Sequence, residues 1–299
     1  MSEFRSGFAG LLGPTNVGKS TFLNAVIGEK ILITSPKPQT TRNRVRCIYT
    51  DGEMQIVFID TPGLHRPRSR LGKHMLRQAY RSLRGLDVLI YMIEPWREVR
   101  DRDEQFLISL GKRKMPTILL VNKIDLARGD DLERTLTSYE ATGLFAELIP
   151  LSALKRLNLE DTLETIGKYL PKRKPYFPAS TKSDSSEKFL VGELIREKIV
   201  RTTSQEIPYN TAVRVKWIGE REDGLIEIKA EVLTDKKSQK GIIIGKKGMM
   251  IRKIGADARK DIEVLLGRHV FLELIVAEDK DWTRDANRIE RLTGDYGGD

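Results

Sequence analysis

The sequence has a single cysteine, Cys47, among its 299 residues, so a disulfide within the chain is impossible. This usage fits a reducing compartment. Its three histidines, His65, His74 and His269, show no spacing that is typical of a metal site. No apolar run is long enough to span a bilayer, and the first residues show no signal-peptide pattern. We therefore expect a cytoplasmic protein.

Positive charge is what the chain has in excess. Lys and Arg number 52 against 42 Asp and Glu, giving a formal net charge of +10 and a pI of about 9.5. This balance favours polyanionic partners, either nucleic acid or an acidic membrane surface. Residues 236–260 hold nine basic side chains and one acidic one, and residues 61–86 hold seven basic and no acidic ones. For residues 61–86 a solvated helix face is the favoured interpretation, with an RNA contact as the alternative.

Two patterns of predicted elements divide the chain. Through residue 170 strands alternate with helices, which predicts an α/β domain with a mostly parallel sheet and helices on both faces. A Pro-, Lys- and Ser/Thr-rich stretch at 171–187 indicates a linker. Residues 188–299 then predict a separate α+β domain of order α-β-β-α-α-β, followed by a tail.

The elements are predicted from apolar periodicity. In the first part, strands are expected at 8–12, 44–49, 55–59, 87–93, 116–121 and 147–150, and helices at 19–28, 71–83, 103–112, 131–142 and 157–169. In the second part, a helix is expected at 187–201, strands at 212–217, 225–233 and 269–276, and two helical pieces around 245–248.

The sequence GPTNVGKS at 13–20 matches the P-loop pattern, and it lies between a predicted strand and a predicted helix. Backbone N–H groups and the helix N-terminus of such a loop bind phosphates. Lys19 is expected to neutralise the β- and γ-phosphates, and the Ser20 hydroxyl to bind Mg²⁺. The predicted phosphate-binding residues are Gly13, Asn16, Val17, Gly18, Lys19, Ser20 and Thr21.

Two further segments are expected to contact the metal and the γ-phosphate. Asp60 ends a predicted strand and can reach Mg²⁺ through water, and the N–H of Gly63 can contact the γ-phosphate. Either Thr40 or Thr41 can complete the Mg²⁺ shell when GTP is bound, and we favour Thr41. Leu64 stands where Ras-like proteins carry a water-orienting glutamine, so intrinsic hydrolysis should be slow.

The sequence NKID at 122–125 predicts selection of guanine. A carboxylate at Asp125 can accept from the N1–H and the exocyclic amine of guanine, whereas adenine would leave it unpaired. A helix N-cap is the competing interpretation of Asp125, and an ATPase or kinase is disfavoured. The predicted guanine-binding residues are Asn122, Lys123, Asp125, Ser152, Ala153 and Leu154.

The sequence GKKG at 245–248 predicts a loop that binds RNA. Its glycines would let an RNA backbone come close, its lysines would meet phosphates, and the apolar residues before it would face unstacked bases. A helix–turn–helix corner with solvated lysines is the alternative. The predicted RNA-binding residues are Ile243, Ile244, Gly245, Lys246, Lys247, Gly248 and Arg252.

With the switch sequence QTTR at 39–42, these motifs resemble the Era family of bacterial GTPases over essentially the whole chain. The resemblance implies a GTPase (G) domain at 1–170, a linker at 171–187 and a type II KH domain at 188–299. It implies GTP and GDP binding, Mg²⁺, and K⁺ through Asn16. It also implies binding of 16S ribosomal RNA near its 3′ end, 30S subunit biogenesis and peripheral association with the inner membrane. Thr15 departs from the proline that is more common in the family.

Two other interpretations stay open, and we expect a monomer in each case. One is an RNA-binding checkpoint whose hydrolysis only resets it. The other is a membrane-peripheral signalling GTPase in cell-cycle or growth control, with basic patches that meet lipid head groups. RNA is favoured because a G-x-x-G loop has no lipid role.

Overall fold

A computed structural model describes residues 4–37, 41–42, 45–60, 70–81, 85–99, 107–108, 111–112 and 115–293. The chain divides into two compact units. The first comprises Met1–Glu29, Arg44–His65 and Arg77–Asp184, and the second comprises Lys30–Asn43, Arg66–Leu76 and Ser185–Asp299. Among the described residues, no helix combines the length and apolar character that crossing a membrane requires.

The first unit is built on a six-stranded sheet of order β2-β3-β1-β4-β5-β6, in which only the β2–β3 pair is antiparallel. The prediction of a mostly parallel α/β sheet is therefore confirmed. The strands are β1 Arg5–Leu12, β2 Val45–Thr50, β3 Met54–Asp60, β4 Val88–Ile93, β5 Thr117–Asn122 and β6 Glu147–Leu151.

The helices around this sheet follow the predicted pattern. They are α1 Lys19–Ile27, a 3₁₀ turn at Ile124–Leu126, α3 Asp131–Glu140 and α4 Leu159–Lys168. Helix α2, Arg70–Arg81, is divided between the units: its residues 70–76 belong to the second unit, where Leu71 and Met75 lie in a buried cluster with Trp282. Helix α1 ends because Gly28 adopts φ 78° and donates its N–H to the Asn24 carbonyl. The helix predicted at 103–112 lies largely outside the described residues.

The middle of the sheet explains why the motif residues meet. Every residue of β3, β4 and β5 is buried, as expected of parallel strands covered on both faces. Parallel strands bring their carboxyl ends to one edge, where α/β proteins bind ligands. Asp60 and Asn122 end β3 and β5 at that edge.

The segment predicted as a linker is hydrogen-bonded to the first unit. Lys172 forms a β-bridge with Arg5, and the N–H of Ile48 donates to the Lys182 carbonyl at 2.8 Å. The buried Gln55 side chain donates to the Phe177 carbonyl at 2.8 Å. Residues 172–183 therefore contact both β1 and the β2–β3 pair.

The second unit has the predicted order α-β-β-α-α-β and a further terminal helix. Its elements are α5 Glu187–Thr202, β7 Thr211–Glu220, β8 Ile226–Thr234, α6 Lys237–Ile244, α7 Met249–Leu266, β9 Val270–Glu278 and α8 Ala286–Thr293, with 3₁₀ turns at Ile207–Tyr209, Lys246–Gly248 and Trp282–Arg284. The sheet order is β7-β8-β9, with β7–β8 antiparallel and β8–β9 parallel.

Helices cover one face of this three-stranded sheet. Ile195 of α5 and Ile262 of α7 belong to the same buried cluster as Ile228 and Val232 of β8. The alternate residues of β8 and β9 point away from these helices, and Lys229 and Phe271 among them are exposed. The sheet therefore has one covered face and one outer face.

Candidate functional site

The P-loop lies between β1 and α1, and its shape requires two glycines. Gly13 has φ 151°, and a Cβ there would lie 2.2 Å from the Met92 carbonyl oxygen. Gly18 has φ 100°, and a Cβ there would lie 2.3 Å from Nδ2 of Asn122. Gly18 is also the N-cap of α1, so the first N–H groups of the helix are directed toward the loop, which suits an anion.

The Lys19 side chain is buried inside this loop, with 7% of its surface exposed. Its Nζ donates to the carbonyl oxygens of Gly13 at 3.1 Å and Pro14 at 2.8 Å. Burial lowers the pKa of Lys19 to about 8, although the nearby Asp60 carboxylate acts in the opposite direction. A bound anion would therefore favour the charged form of Lys19.

Two of the predicted Mg²⁺ ligands belong to the first unit. Ser20 is in the first turn of α1, and the fully buried Asp60 ends β3 close enough to influence Lys19. A hydroxyl and a carboxylate are oxygen donors of the kind that Mg²⁺ prefers, and this ion also uses substrate phosphates. Within the described ranges no group of three His, Cys, Asp or Glu residues could hold a metal. Ser20 and Asp60 thus fit a magnesium ion that is held largely by a nucleotide.

The other switch predictions are distributed differently. Thr40, Gly63 and Leu64 lie outside the described residues. Thr41 lies in the second unit, next to Arg42. The buried Arg42 guanidinium donates to the carbonyl oxygens of Thr211 at 2.8 Å and Pro208 at 2.5 Å. Metal binding by Thr41 stays a prediction.

Asn122 connects the P-loop to the loop after β6. Its Nδ2 donates to the Val17 carbonyl at 2.8 Å, and its Oδ1 accepts from the N–H of Ala153 at 2.9 Å. Only 2% of the Asn122 surface is exposed. One amide side chain therefore joins three segments that are far apart in the sequence.

The predicted guanine carboxylate is held by a serine from the loop after β6. The Ser152 hydroxyl donates to Oδ1 of Asp125 at 2.5 Å, and Asp125 itself is exposed. The hydrogen bond fixes the orientation of a carboxylate that a base can reach. Leu154, in contrast, exposes 73% of its surface to solvent, so a contact by it would come from the backbone.

Lys123 is held by two contacts, and the sequence did not reveal the one with Glu94. Its Nζ donates to the Asn16 carbonyl at 2.7 Å and forms an ion pair with Glu94 at 2.5 Å. Glu94 directly follows β4, so it lies at the same edge of the sheet as the other site residues. An acidic residue at the end of a buried parallel strand was the available signal.

In the second unit, the predicted RNA-binding loop joins α6 to α7. Gly245 has φ 70° and ψ 177°, and a Cβ there would lie 2.6 Å from the Cβ of Met250, so this position requires glycine. Lys247 adopts φ 51°, and its carbonyl accepts from the Arg252 guanidinium at 2.7 Å. Lys246 and Lys247 are both exposed.

The structure corrects the prediction that Ile243 faces RNA bases. Ile243 is fully buried in the core of the second unit, because α6 turns this face toward the sheet and α7. Ile244 is partly buried. The exposed apolar side chains beside the loop are instead Ile242, at 51%, and Met249, at 60%. A run of three isoleucines does not reveal which of them points to the core.

Family models match both parts of the chain. Residues 8–123 match the family described as 50S ribosome-binding GTPase, and residues 206–283 match the KH domain family.

Curated relatives match the chain almost end to end. Over 290 residues it is 43% identical to the GTPase Era of Geotalea uraniireducens. The aligned region covers 97% of this chain and 98% of that protein. It is 45% identical over 293 residues to the GTPase Era of Geobacter metallireducens, with the same two coverages.

Two solved structures resemble the chain at 37% identity and cover 97% of it. One is a variant of Aquifex aeolicus Era bound to GDP·AlF₄⁻, with a TM-score of 0.92 and 99% of that chain covered. The other is Era in complex with MgGDPNP and nucleotides 1506–1542 of 16S ribosomal RNA, with a TM-score of 0.90 and 98% of that chain covered.

Proposed function

This chain belongs to the Era family of GTPases, and from that premise we propose that it hydrolyses GTP, binds 16S ribosomal RNA near its 3′ end and acts in 30S subunit biogenesis. One observation carries the proposal: a hydrogen-bonded site for a guanine nucleotide and an exposed Gly-Lys-Lys-Gly loop occur in a single chain. We assign the first role to residues 1–170 and the second to residues 188–299, with 171–187 as the connection.

The P-loop binds the phosphates of GTP or GDP. Lys19 then donates to phosphate oxygens instead of the carbonyls of Gly13 and Pro14, and the N–H groups of the loop supply further donors. Ser20, Asp60 through water, and Thr41 are the proposed Mg²⁺ ligands. A bound Mg²⁺ neutralises charge that develops on the phosphate oxygens. Gly63 is the proposed γ-phosphate contact.

A potassium ion is a further proposed cofactor. Asn16 is exposed at the outer side of the P-loop with φ 65°, and its carbonyl is held by Lys123. An amide oxygen suits a monovalent cation beside phosphates. Hydrolysis that is equally fast in KCl and NaCl would count against this assignment.

Guanine is selected by Asp125. Its carboxylate, oriented by Ser152, accepts from the N1–H and the amine of guanine, and the proposed contact to the base oxygen comes from the backbone of residues 152–154. Adenine cannot satisfy the carboxylate, and an unpaired polar group lowers affinity strongly.

RNA binds along the loop at 245–248. Lys246 and Lys247 meet phosphates, Arg252 holds the loop through the Lys247 carbonyl, and Ile242 and Met249 are apolar surfaces for unstacked bases. This assignment replaces Ile243, whose side chain is buried. In this proposal the GTP-bound state favours RNA binding, and bound RNA in turn accelerates hydrolysis. Without RNA, hydrolysis is slow, because Leu64 cannot orient the attacking water.

The test is GTP hydrolysis with and without a short RNA that ends in the 16S 3′ sequence. RNA should accelerate hydrolysis by the native chain. The double variant Lys246→Asp/Lys247→Asp should hydrolyse GTP at the unstimulated rate and should bind this RNA at least about tenfold more weakly, because two phosphate contacts are reversed in charge.

A matched control keeps the charge change but moves it away from the loop. Lys112 and Lys168 are both exposed in the first unit, and the double variant Lys112→Asp/Lys168→Asp should leave RNA stimulation intact. If the native chain binds RNA without any acceleration, the checkpoint interpretation replaces the coupled one.

We propose a cytoplasmic location, supported by the lone cysteine, with the inner-membrane surface as a second site of action. The positive charge of residues 236–260 is the feature that favours the membrane. If the chain binds anionic vesicles and added RNA does not displace it from them, the signalling interpretation is favoured. If RNA displaces it completely, the positive charge of residues 236–260 serves RNA binding.

A further inference from the structure

We propose that the outer face of the β7-β8-β9 sheet is a second surface for single-stranded RNA, on which the indole ring of Trp217 stacks a base. This face lies on the side of the sheet away from α5 and α7. It shares no residue with the loop at 245–248, so the proposal stands independently of that loop.

A β-bulge places Trp217 on this outer face. Val215 pairs with Ala230 but Trp217 already pairs with Lys229, so β7 contains one extra residue here. Val213 and Val215 pack against the core, and strict alternation would turn Trp217 inward with them. The bulge turns it outward, and 54% of its surface is exposed. Bulges commonly direct side chains at functional sites.

The indole ring of Trp217 lies close to the backbone of Gly219, two residues further along β7. A Cβ at Gly219 would lie 2.6 Å from Cζ2, 2.7 Å from Cε2 and 2.8 Å from Nε1 of Trp217. The ring therefore packs against Gly219, and a larger side chain at that position would have to displace it. The indole is thus held against β7 at Gly219 while 54% of the Trp217 surface stays exposed. This is the geometry that a stacking base needs.

A second aromatic group lies across the sheet on β9. Phe271 is 43% exposed, and the guanidinium of Arg221 lies over its ring at 4.2 Å. Both aromatic rings and guanidinium planes stack RNA bases. Phe271 pairs in register with Glu227, and Trp217 with Lys229, so the two aromatics flank the central strand.

The charges on this face have a small excess of cations, which suits an anionic strand. Four cations are present, against three carboxylates: Arg214, Lys216, Arg221 and Lys229 against Glu227, Glu231 and Glu273. Glu231 is shared by Arg214 at 2.5 Å and Lys216 at 3.5 Å, and Glu227 by Arg221 at 2.6 Å and Lys229 at 3.6 Å. Because four cations share two carboxylates, positive charge is left over on β7, β8 and the turn that joins them, which phosphates can neutralise.

Tryptophan fluorescence tests the proposal in the full chain. The background variant carries three substitutions, Trp96→Phe, Lys246→Asp and Lys247→Asp. The first removes the fluorescence of the exposed Trp96, and the other two weaken RNA binding by the loop at 245–248. Trp217 and the fully buried Trp282 then remain. A mixed-sequence single-stranded RNA of about 20 nucleotides, enough for several bases, should quench the fluorescence of Trp217. In this background Trp217→Leu should weaken RNA binding by about 5- to 150-fold.

Two matched variants separate stacking from other effects. Trp217→Tyr keeps a ring and should retain most of the affinity, whereas Ile275→Ala, an equally exposed apolar side chain of the same face, should change it less than about twofold. Thermal unfolding confirms that each variant is folded. A lack of quenching on addition of RNA, or an RNA affinity that Trp217→Leu leaves unchanged, would overturn the proposal, as would an equal loss of affinity in Ile275→Ala.

Discussion

The nucleotide site of the first unit and the Gly-Lys-Lys-Gly loop of the second are built in different ways. In the nucleotide site, Asn122 binds Val17 and Ala153, which lie 105 and 31 residues away, and its side chain is almost completely buried. In the loop, the lysines that carry the chemistry are consecutive and exposed, and the Arg252 hydrogen bond spans only five residues.

The difference separates specificity from affinity. A buried and fully hydrogen-bonded network holds polar groups in one geometry, and it loses much when one partner is removed. An exposed cationic loop attracts any phosphate backbone and depends on salt rather than on precise placement. We therefore expect substitutions in the first site to change both folding and function, and substitutions of the loop lysines to change function alone.

The largest effect should come from Asn122→Ala. The substitution leaves the Val17 carbonyl and the Ala153 N–H buried without their partner, and each such group costs about 1–3 kcal/mol. The free energy of unfolding of the first unit should fall by about 2–6 kcal/mol, with loss of GDP affinity. Differential scanning calorimetry, which can resolve separate unfolding transitions of the two units, measures the loss of stability, and GDP titration measures the loss of affinity.

The exposed Asn287 of α8 provides the control, and Asn287→Ala should change the free energy of unfolding by less than about 0.5 kcal/mol. An Asn122→Ala variant that unfolds like the native chain would mean that the network is not coupled to folding, and the contrast between the two sites would disappear.

The two glycines of the loop should differ from each other. Gly245→Ala places a Cβ 2.6 Å from Met250 in a glycine-only conformation, so we expect a loss of about 1–3 kcal/mol in the free energy of unfolding. At Gly248, with φ 75°, the nearest atoms are 3.8 Å away, and the backbone penalty of about 1 kcal/mol should act alone. Chemical denaturation of both variants measures the difference, and equal losses would contradict it.

The smallest effect concerns pH. Without nucleotide, burial lowers the pKa of Lys19 to about 8, and bound phosphates should raise it because they favour the charged form. Binding then takes up a proton above pH 8, so GDP affinity should fall by about tenfold between pH 7 and pH 9. Because the unfolded chain keeps the ordinary pKa of 10.5, stability without nucleotide should rise as pH increases through 8.

Titration calorimetry at pH 9 in two buffers of different ionisation enthalpy counts the proton. A heat that is independent of the buffer would show that Lys19 is already charged in the free protein, and the pH dependence would then have another source.

Sequence alone predicted the local motifs and most elements of both units. The P-loop, NKID and GKKG segments carry their chemistry within a few consecutive residues, and strand or helix periodicity depends on near neighbours. The order of strands and helices then limited the fold to a parallel α/β unit followed by an α+β unit, which the structure confirms.

The features that sequence missed all depend on contacts between distant residues. Glu94 meets Lys123 because two strands end at one edge, and Ile243 is buried because α6 packs on a core whose members range from Val191 to Val276. Trp217 faces outward because of one extra residue in β7 relative to β8. The sequence by itself determined which chemistry is present, since motifs are local. Only the tertiary structure decided which side chains are buried, paired or exposed, because those outcomes depend on packing between segments that no local pattern describes.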